Sequence, residues 1–434
     1  MEKIRANFFR YVSMNVIGGL GISIFILADT YFIAQALGTA GLAALNFSIA
    51  IFSLLHGSGL MIGIGGATEF SLQKRGANEN SGSVAFVHSI ILGLIVSAVF
   101  LTVAVFFTGP LATVLGADEV TSPLTQAYLK TVLGFSPFFV LNNIIIAFVR
   151  NDKNPRLSMI AMLIGSFANI ILDYVFIFVF AMGMFGAALA TGLSPIISLC
   201  ILSLHFKGNN FRFKIIKCKI SLLKMFRIMS LGFSAFIGEL ALAIALITFN
   251  LIIIRLSGNT GVAAYGVIAN IALIATAIFV GISQGIQPLA SKYYARKDVS
   301  AVNQIFKYSI LTALAVSAVI YATLYFFSNS IVGAFNSEGN AVLADLAEVG
   351  IKIYFIGYVF AGINIVCAAF LSAISNAKQA MVIAILRSAV FLIPFVLLLS
   401  SLFGMNGVWV SFLLTEFTVF IIAMVLMYKT PLHA

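Results

Sequence analysis

The chain of 434 residues is 61% hydrophobic and 9% charged, with a mean hydropathy of +1.11. Those figures exclude a water-soluble domain, because apolar runs longer than about 18 residues recur along the whole length. The net charge of +11 does not indicate nucleic acid: Lys and Arg flank the apolar runs, and no basic surface with base-stacking aromatics stands apart from them.

Twelve helices are expected, here α1–α12, at 10–36, 42–70, 85–108, 129–149, 156–182, 186–206, 228–256, 262–291, 305–328, 347–373, 379–402 and 406–428. The fold class is therefore an all-α polytopic membrane protein. A transmembrane barrel would show alternating segments of about 10 residues, which this chain lacks. The first run, from Val12 to Ala36, exceeds the ~7–15 apolar residues of a signal peptide and reads as a span. Short Gly-marked turns join the helices at Gly38/Gly41, Gly183/Gly186, Gly258/Gly261 and Gly404/Gly407.

Twenty-two of the 25 basic residues fall at the N-terminus, at the C-terminal Lys429 or in alternate loops. The exceptions are Lys130, Arg255 and Lys352. That bias puts both termini in the cytoplasm. The longest basic stretch divides the chain into an N-lobe at 1–206, a cytoplasmic linker at 207–227 and a C-lobe at 228–434.

The halves repeat. Gly38–Leu45 matches Gly258–Tyr265 at an offset of 220, Ala147–Met159 matches Ala369–Met381 at 222, and Gly183–Gly186 matches Gly404–Gly407 at 221. Nearly constant offsets indicate duplication. Six helices per half make the repeat parallel, an arrangement found in secondary transporters with the site between the lobes.

Five acids interrupt or end apolar runs: Asp29, Glu69, Asp173, Glu239 and Glu416. An ionisable residue at membrane depth marks a functional site by default. Asp29 lies roughly 12 Å, and Asp173 roughly 15 Å, below the outer turns at 1.5 Å per residue. Asn169 shares a face with Asp173, and Thr191 follows closely on α6. No Lys or Arg stands mid-helix in this lobe, so the two carboxylates must take up a proton or hold a hard cation such as Na⁺. Asp29 corresponds to Phe249 in the second half, which confines the acidic site to one lobe.

Glu239 and Glu416 are candidates for a substrate or secondary ion site, with an ion pair to Arg387 as the alternative. Glu69 reads as an interfacial partner of Lys74 and Arg75, and His56 as a packed, hydrogen-bonded residue. Gly18, Gly19, Pro288 and Pro394 are expected as hinges, with α8 and α11 interrupted at their prolines. Cys200, Cys218 and Cys367 have neither disulfide nor metal spacing. Hydrolase and nucleotide-binding motifs are absent.

The string Asp29-Thr-Tyr-Phe-Ile-Ala-Gln-Ala-Leu-Gly38 and the string Gly281-Ile-Ser-Gln-Gly-Ile-Gln-Pro288, set among twelve helices, resemble the multidrug and toxic compound extrusion (MATE) transporters. Asn169-Ile-Ile-Leu-Asp173 with Thr191 is similar to the polar set of the DinF-like branch. The resemblance implies a V-shaped pair of six-helix bundles, alternating access, and export of amphipathic or cationic compounds in exchange for H⁺ or Na⁺. It assigns cation coupling to Asp29, Asn169, Asp173 and Thr191. Glu239 is similar to an α7 acid of NorM-like members. The chain departs from some relatives in lacking a proline in α1, where Gly18-Gly19 is the candidate hinge.

Beyond the coupling ion no cofactor is expected, and the protein is not read as an enzyme. A monomer in the plasma membrane is expected, with lipids and small substrates as partners and no nucleic acid. A lipid or lipid-linked oligosaccharide flippase is the alternative, disfavoured because the intramembrane charges are mostly acidic. A membrane-embedded enzyme or scaffold is disfavoured by the missing catalytic constellation.

Overall fold

A computed structural model describes residues 2–72, 81–207, 211–335 and 340–430, and every regular element among them is a helix. Helices α1 and α2 form one run, Glu2–Leu72, and α7 and α8 another, Leu222–Ala295. The first is 71 residues long. At 1.5 Å per residue it would reach about 105 Å, over three times the hydrocarbon thickness. It turns at Gly38, where φ is 59° and ψ −148°. Gly258 turns the second run at φ 59° and ψ −153°, and Gly404 separates α11 from α12 at φ 58° and ψ −134°. A side chain at such φ is sterically penalised, so glycine is the residue that lets each hairpin close.

Helix α4 consists of Thr121–Gly134 and Ser136–Asn151, bent by 49°, and α10 of Ala341–Tyr354 and Gly357–Ala373, bent by 47°. With α3 at Ser81–Phe106, α5 at Pro155–Tyr174, α6 at Gly183–Leu202 and α9 at Val299–Phe326, twelve crossings stand among the described residues. Two short outer helices, Thr108–Val114 and Ser328–Phe335, were absent from the sequence reading, which also began α4 eight residues late. Thr121, Thr125 and Tyr128 are buried there, so tertiary packing extends the helix past its apolar text.

The duplication is written in the backbone. Positive φ recurs at Lys153 (68°) and Ser375 (70°), and at Gly183 (56°) and Gly404 (58°). The first pair stands at the offset of 222 and the second at 221.

Two compact units result: Ser13–Glu239, and Met1–Val12 with Leu240–Ala434. The first residues of α1 thus group with the later unit, and α7 as far as Glu239 with the earlier one. Close helix crossings explain this. A Cβ on Gly65 of α2 would lie 1.9 Å from the Ile228 carbonyl oxygen of α7, and one on Gly232 would lie 1.8 Å from that of Met61. In the other unit, a Cβ on Gly285 of α8 would lie 2.7 Å from Cα of Val12.

The described part of the expected linker is docked. Phe213 is fully buried and packs on Phe70, Phe86, Phe148 and the ring of His205. Arg212 is paired with Asp152 through Nε and donates its backbone N–H to Asp152 Oδ2 at 2.9 Å. His205 Nε2 lies 3.0 Å from the same oxygen. The Lys214 N–H donates to Ser83 Oγ at 3.1 Å, and the Ser221 N–H to His88 Nε2 at 3.0 Å. Burial alone would push the Asp152 carboxyl up, but hydrogen bonds from His205 and Arg212 and the guanidinium charge hold it below the usual range.

Candidate functional site

Four helices of the Ser13–Glu239 unit converge on Asp29. Helix α5 begins at Pro155, with the Asn154 side chain accepting the Leu157 N–H at 3.2 Å. It is tied to α6 by Ser194 Oγ, which donates to the Gly165 carbonyl at 2.9 Å. One turn further out, Asn169 faces Thr191 across the same seam. The Asn169 amide donates to Asp173 Oδ2 at 3.0 Å, and its oxygen accepts the Thr191 N–H at 3.2 Å. A π-helical turn, Val175–Val179, starts two residues after Asp173; such turns often accompany functional sites.

Asp29, Asn169, Asp173 and Thr191 are all buried, Asn169 and Asp173 completely. Asp29 and Asp173 lie close enough to act on each other electrostatically. Oδ1 of each carboxylate is buried and accepts no hydrogen bond, and Thr191 Oγ1 lacks one of good geometry. Buried carboxylate oxygens without donors are costly. They call for a proton or a hard cation, and the carboxylate, amide and hydroxyl oxygens present are the ligands such a cation takes.

The sequence reading missed Tyr128. On the outer segment of α4, it is buried and faces Asp29, Asp173 and Thr191. A tyrosine in an aromatic-rich apolar helix carries no signal until its neighbours are known. The reading also left Arg150 in a loop. It lies in the last turn of α4, 1% exposed, with Nη1 2.9 Å from Asn15 Oδ1. Asn15 is roughly 21 Å down α1 from Asp29 at helical rise, so this cation sits far from the acidic pair.

The other acids have different surroundings. Glu416 is buried against Arg387, with Oε1 2.7 Å from Nη2, while Asn364 Nδ2 donates to Oε2 at 2.8 Å. Glu239 Oε1 lies 3.2 Å from His56 Nδ1. Glu69 pairs with Arg227 at 2.8 Å; Lys74 and Arg75 lie outside the described residues. The expected interruption of α8 does not occur: helical dihedrals continue through Pro288, and Gly258 is where the run breaks. Helix α11 does break, through the π turn Leu386–Val390, with Pro394 in the first turn that follows. Gly18 and Gly19 lie within continuous helix, where a Cβ on Gly18 would meet the sulfur of Met162 at 3.0 Å.

Twelve helices, a two-fold repeat and an enclosed pair of acids with no cationic partner define a polytopic membrane transporter rather than an enzyme. The family model MatE matches twice, at residues 16–175 and 234–398. The chain belongs to this family, the MATE transporters. It is 28% identical over 418 residues to multidrug export protein MepA of Staphylococcus saprophyticus, covering 95% of this chain and 91% of that one. A crystal structure of MATE in complex with MaL6 superposes with a TM-score of 0.91 at 21% identity, covering 98% and 95% of the two chains. An outward-facing multidrug resistance MATE family transporter superposes at 0.90, again at 21% identity, covering 97% and 94%.

Proposed function

We propose that this protein is a secondary antiporter that exports amphipathic, cationic compounds in exchange for H⁺ or Na⁺. The observation that carries the reading is the pair of buried carboxylate oxygens, one on Asp29 and one on Asp173, that no donor satisfies. The similarity to multidrug export protein MepA over 95% of the chain supports the substrate class.

In this reading the ion is cargo. It enters from the outer side and binds Asp29 and Asp173, with Asn169 holding Asp173 in place and Thr191 and Tyr128 completing the shell. Loading removes the charge that disfavours close packing of α1 on α5, and α1 repacks around Gly18 and Gly19. The substrate prefers the unloaded, inward-open form. Exchange follows because the two ligands favour different states, which needs a coupling free energy of about 1–3 kcal/mol. The protein resides in the plasma membrane with both termini in the cytoplasm, as the loop charges indicate. Lobes at 1–206 and 228–434 move as the alternating bodies, and the protein works as a monomer.

The geometry disfavours the flippase alternative. The Arg387 charge that could receive a pyrophosphate is engaged by Glu416.

Ethidium efflux from proteoliposomes, with Na⁺ and pH gradients imposed separately, tests the reading. Efflux above the ungradiented rate under at least one gradient is expected. Rates unchanged under both would refute it.

A further inference from the structure

The segment between α6 and α7 is pinned on its inner face, and the transport cycle makes no use of its outer face. The Lys214 N–H bonds Ser83 near the start of α3, and the Ser221 N–H bonds His88. The two anchors on α3 are separated by little more than one helical turn, so the segment descends roughly 7.5 Å along the flank of that helix. Helix α7 then begins at Leu222. Leu222, Leu223 and Phe226 are exposed, as lipid-facing residues are in the first turns of a span. The stretch from Lys214 to Ser221 therefore crosses the headgroup layer of the leaflet that α3 and α7 enter.

Charge and apolar surface are interleaved there. Lys214, Lys217, Lys219 and Lys224 are exposed, and Ile215 and Ile220 among them are 82% and 62% exposed. No Asp or Glu occurs in the sequence between Asp173 and Glu239. The acids that other helices bring in are taken by arginines: Asp152 at the end of α4 holds Arg212, and Glu69 of α2 holds Arg227. The lysines are left with their charge facing outward. Lysines alternating with aliphatic side chains at the edge of a span fit an anionic headgroup layer, the ammonium groups on phosphates and the isoleucines in the acyl boundary. Nucleic acid fits less well, because it calls for open aromatic platforms. Phe213 is buried, and Phe211 packs on Phe206.

We propose that the outer face of Lys214–Lys224 binds the headgroups of anionic phospholipids in the cytoplasmic leaflet. This rests on the membrane orientation given above and not on the antiport cycle. Bound lipid presses the segment onto Ser83 and His88 and fixes where α7 enters the bilayer.

Thiol labelling at Cys218 tests the proposal, because this half-buried residue lies amid the lysines. The full-length Cys200→Ser protein is placed in nanodiscs of phosphatidylcholine, with or without phosphatidylglycerol, both faces open to an uncharged maleimide. Labelling should be at least about fivefold slower with phosphatidylglycerol, the factor that one lysine at an anionic surface is worth. At about 1 M salt, where the Debye length falls to about 3 Å, most of that difference should vanish. Adding Lys217→Gln, Lys219→Gln and Lys224→Gln together should make the rates in the two discs alike. Arginine at the same three positions should keep them apart. Equal rates for the Cys200→Ser protein in the two discs would overturn the proposal, whether or not the glutamine variant folds. Undiminished slowing in the glutamine variant would overturn it too, by tracing the effect to the surface charge of the disc. Protection by single-stranded RNA, with none from phosphatidylglycerol, would assign the face to nucleic acid and likewise overturn it. Gradient-driven ethidium efflux is read separately, so the antiport reading stands or falls independently.

Discussion

A carboxylate within hydrocarbon persists when something neutralises it, and this chain shows two solutions. Glu416 has its cation built in: Arg387 and Asn364 fill both of its oxygens. Asp29 and Asp173 have none, and each keeps an orphaned Oδ1. The two arrangements should respond differently to mutation. Removing one partner of a buried ion pair strands the other, at a cost of about 3–5 kcal/mol. Arg387→Met should therefore lower the melting temperature in detergent, and Arg387→Met with Glu416→Gln should recover much of the loss. Asp173→Asn instead removes an unpaired charge. It should leave the melting temperature unchanged or raise it while abolishing ion-driven transport. A large destabilisation by Asp173→Asn would mean that the carboxylate charge itself holds the fold together. Asn169→Leu takes a donor from Asp173 and an acceptor from the Thr191 N–H. Leaving buried groups unsatisfied costs about 1–3 kcal/mol, so this variant should lose both stability and coupling.

At the scale of elements, the hairpins rest on glycines with positive φ. Gly38→Ala forces a Cβ into the left-handed region at a cost of about 1–2 kcal/mol, although no neighbour lies within 4 Å. It should lower stability through strain alone, measurable as a shift in thermal unfolding. Gly183→Ala should behave in the same way.

The docked segment after α6 gives a prediction with a pH sign. Asp152 anchors it and is held below the usual carboxylate range. Its contribution is therefore fully present above about pH 3.9, the unfolded value, and is lost as the pH falls through the lower folded value. Cys218 lies on the segment and is half-buried, whereas Cys200 is exposed and Cys367 buried. In a Cys200→Ser background, the labelling rate at Cys218 divided by that of a free model thiol should be low and constant from pH 7 to pH 5, the division removing the fall in thiolate that any cysteine shows. Asp152→Ala should accelerate it severalfold. Equal rates in the two proteins would show that the anchor does not hold the segment down.

Across the whole molecule, what could be read from the sequence is what repeats or what is expensive. Twelve spans follow from hydropathy, and the three repeat offsets return as matched positive φ at Gly38/Gly258, Lys153/Ser375 and Gly183/Gly404, beside matched bends in α4 and α10. Asp29, Asn169, Asp173 and Thr191 were legible because polar groups in apolar text stand out, and spacing along known helices gives their depth. Of the pairings across helices, that of Arg387 with Glu416 stood among the alternatives the sequence offered, and the others were not legible. The partner of Glu69 was sought in the next loop and lies on α7. His56 reads as an ordinary packed residue until α7 sets Glu239 beside it. Tyr128 belongs to the site through the bend in α4, which no local pattern announced. The docking of Phe213 was hidden because a short basic stretch with scattered aromatics has no periodicity to read.

The central claim is that an ion visiting Asp29 and Asp173 drives export. It is tested most directly by comparing wild type and Asp29→Asn in proteoliposomes, for ethidium exchange at equilibrium and for ethidium accumulation against its gradient under an imposed ion gradient. The expected result is exchange in both proteins and uphill accumulation in wild type alone. Uphill accumulation by Asp29→Asn at the wild-type rate would contradict the account.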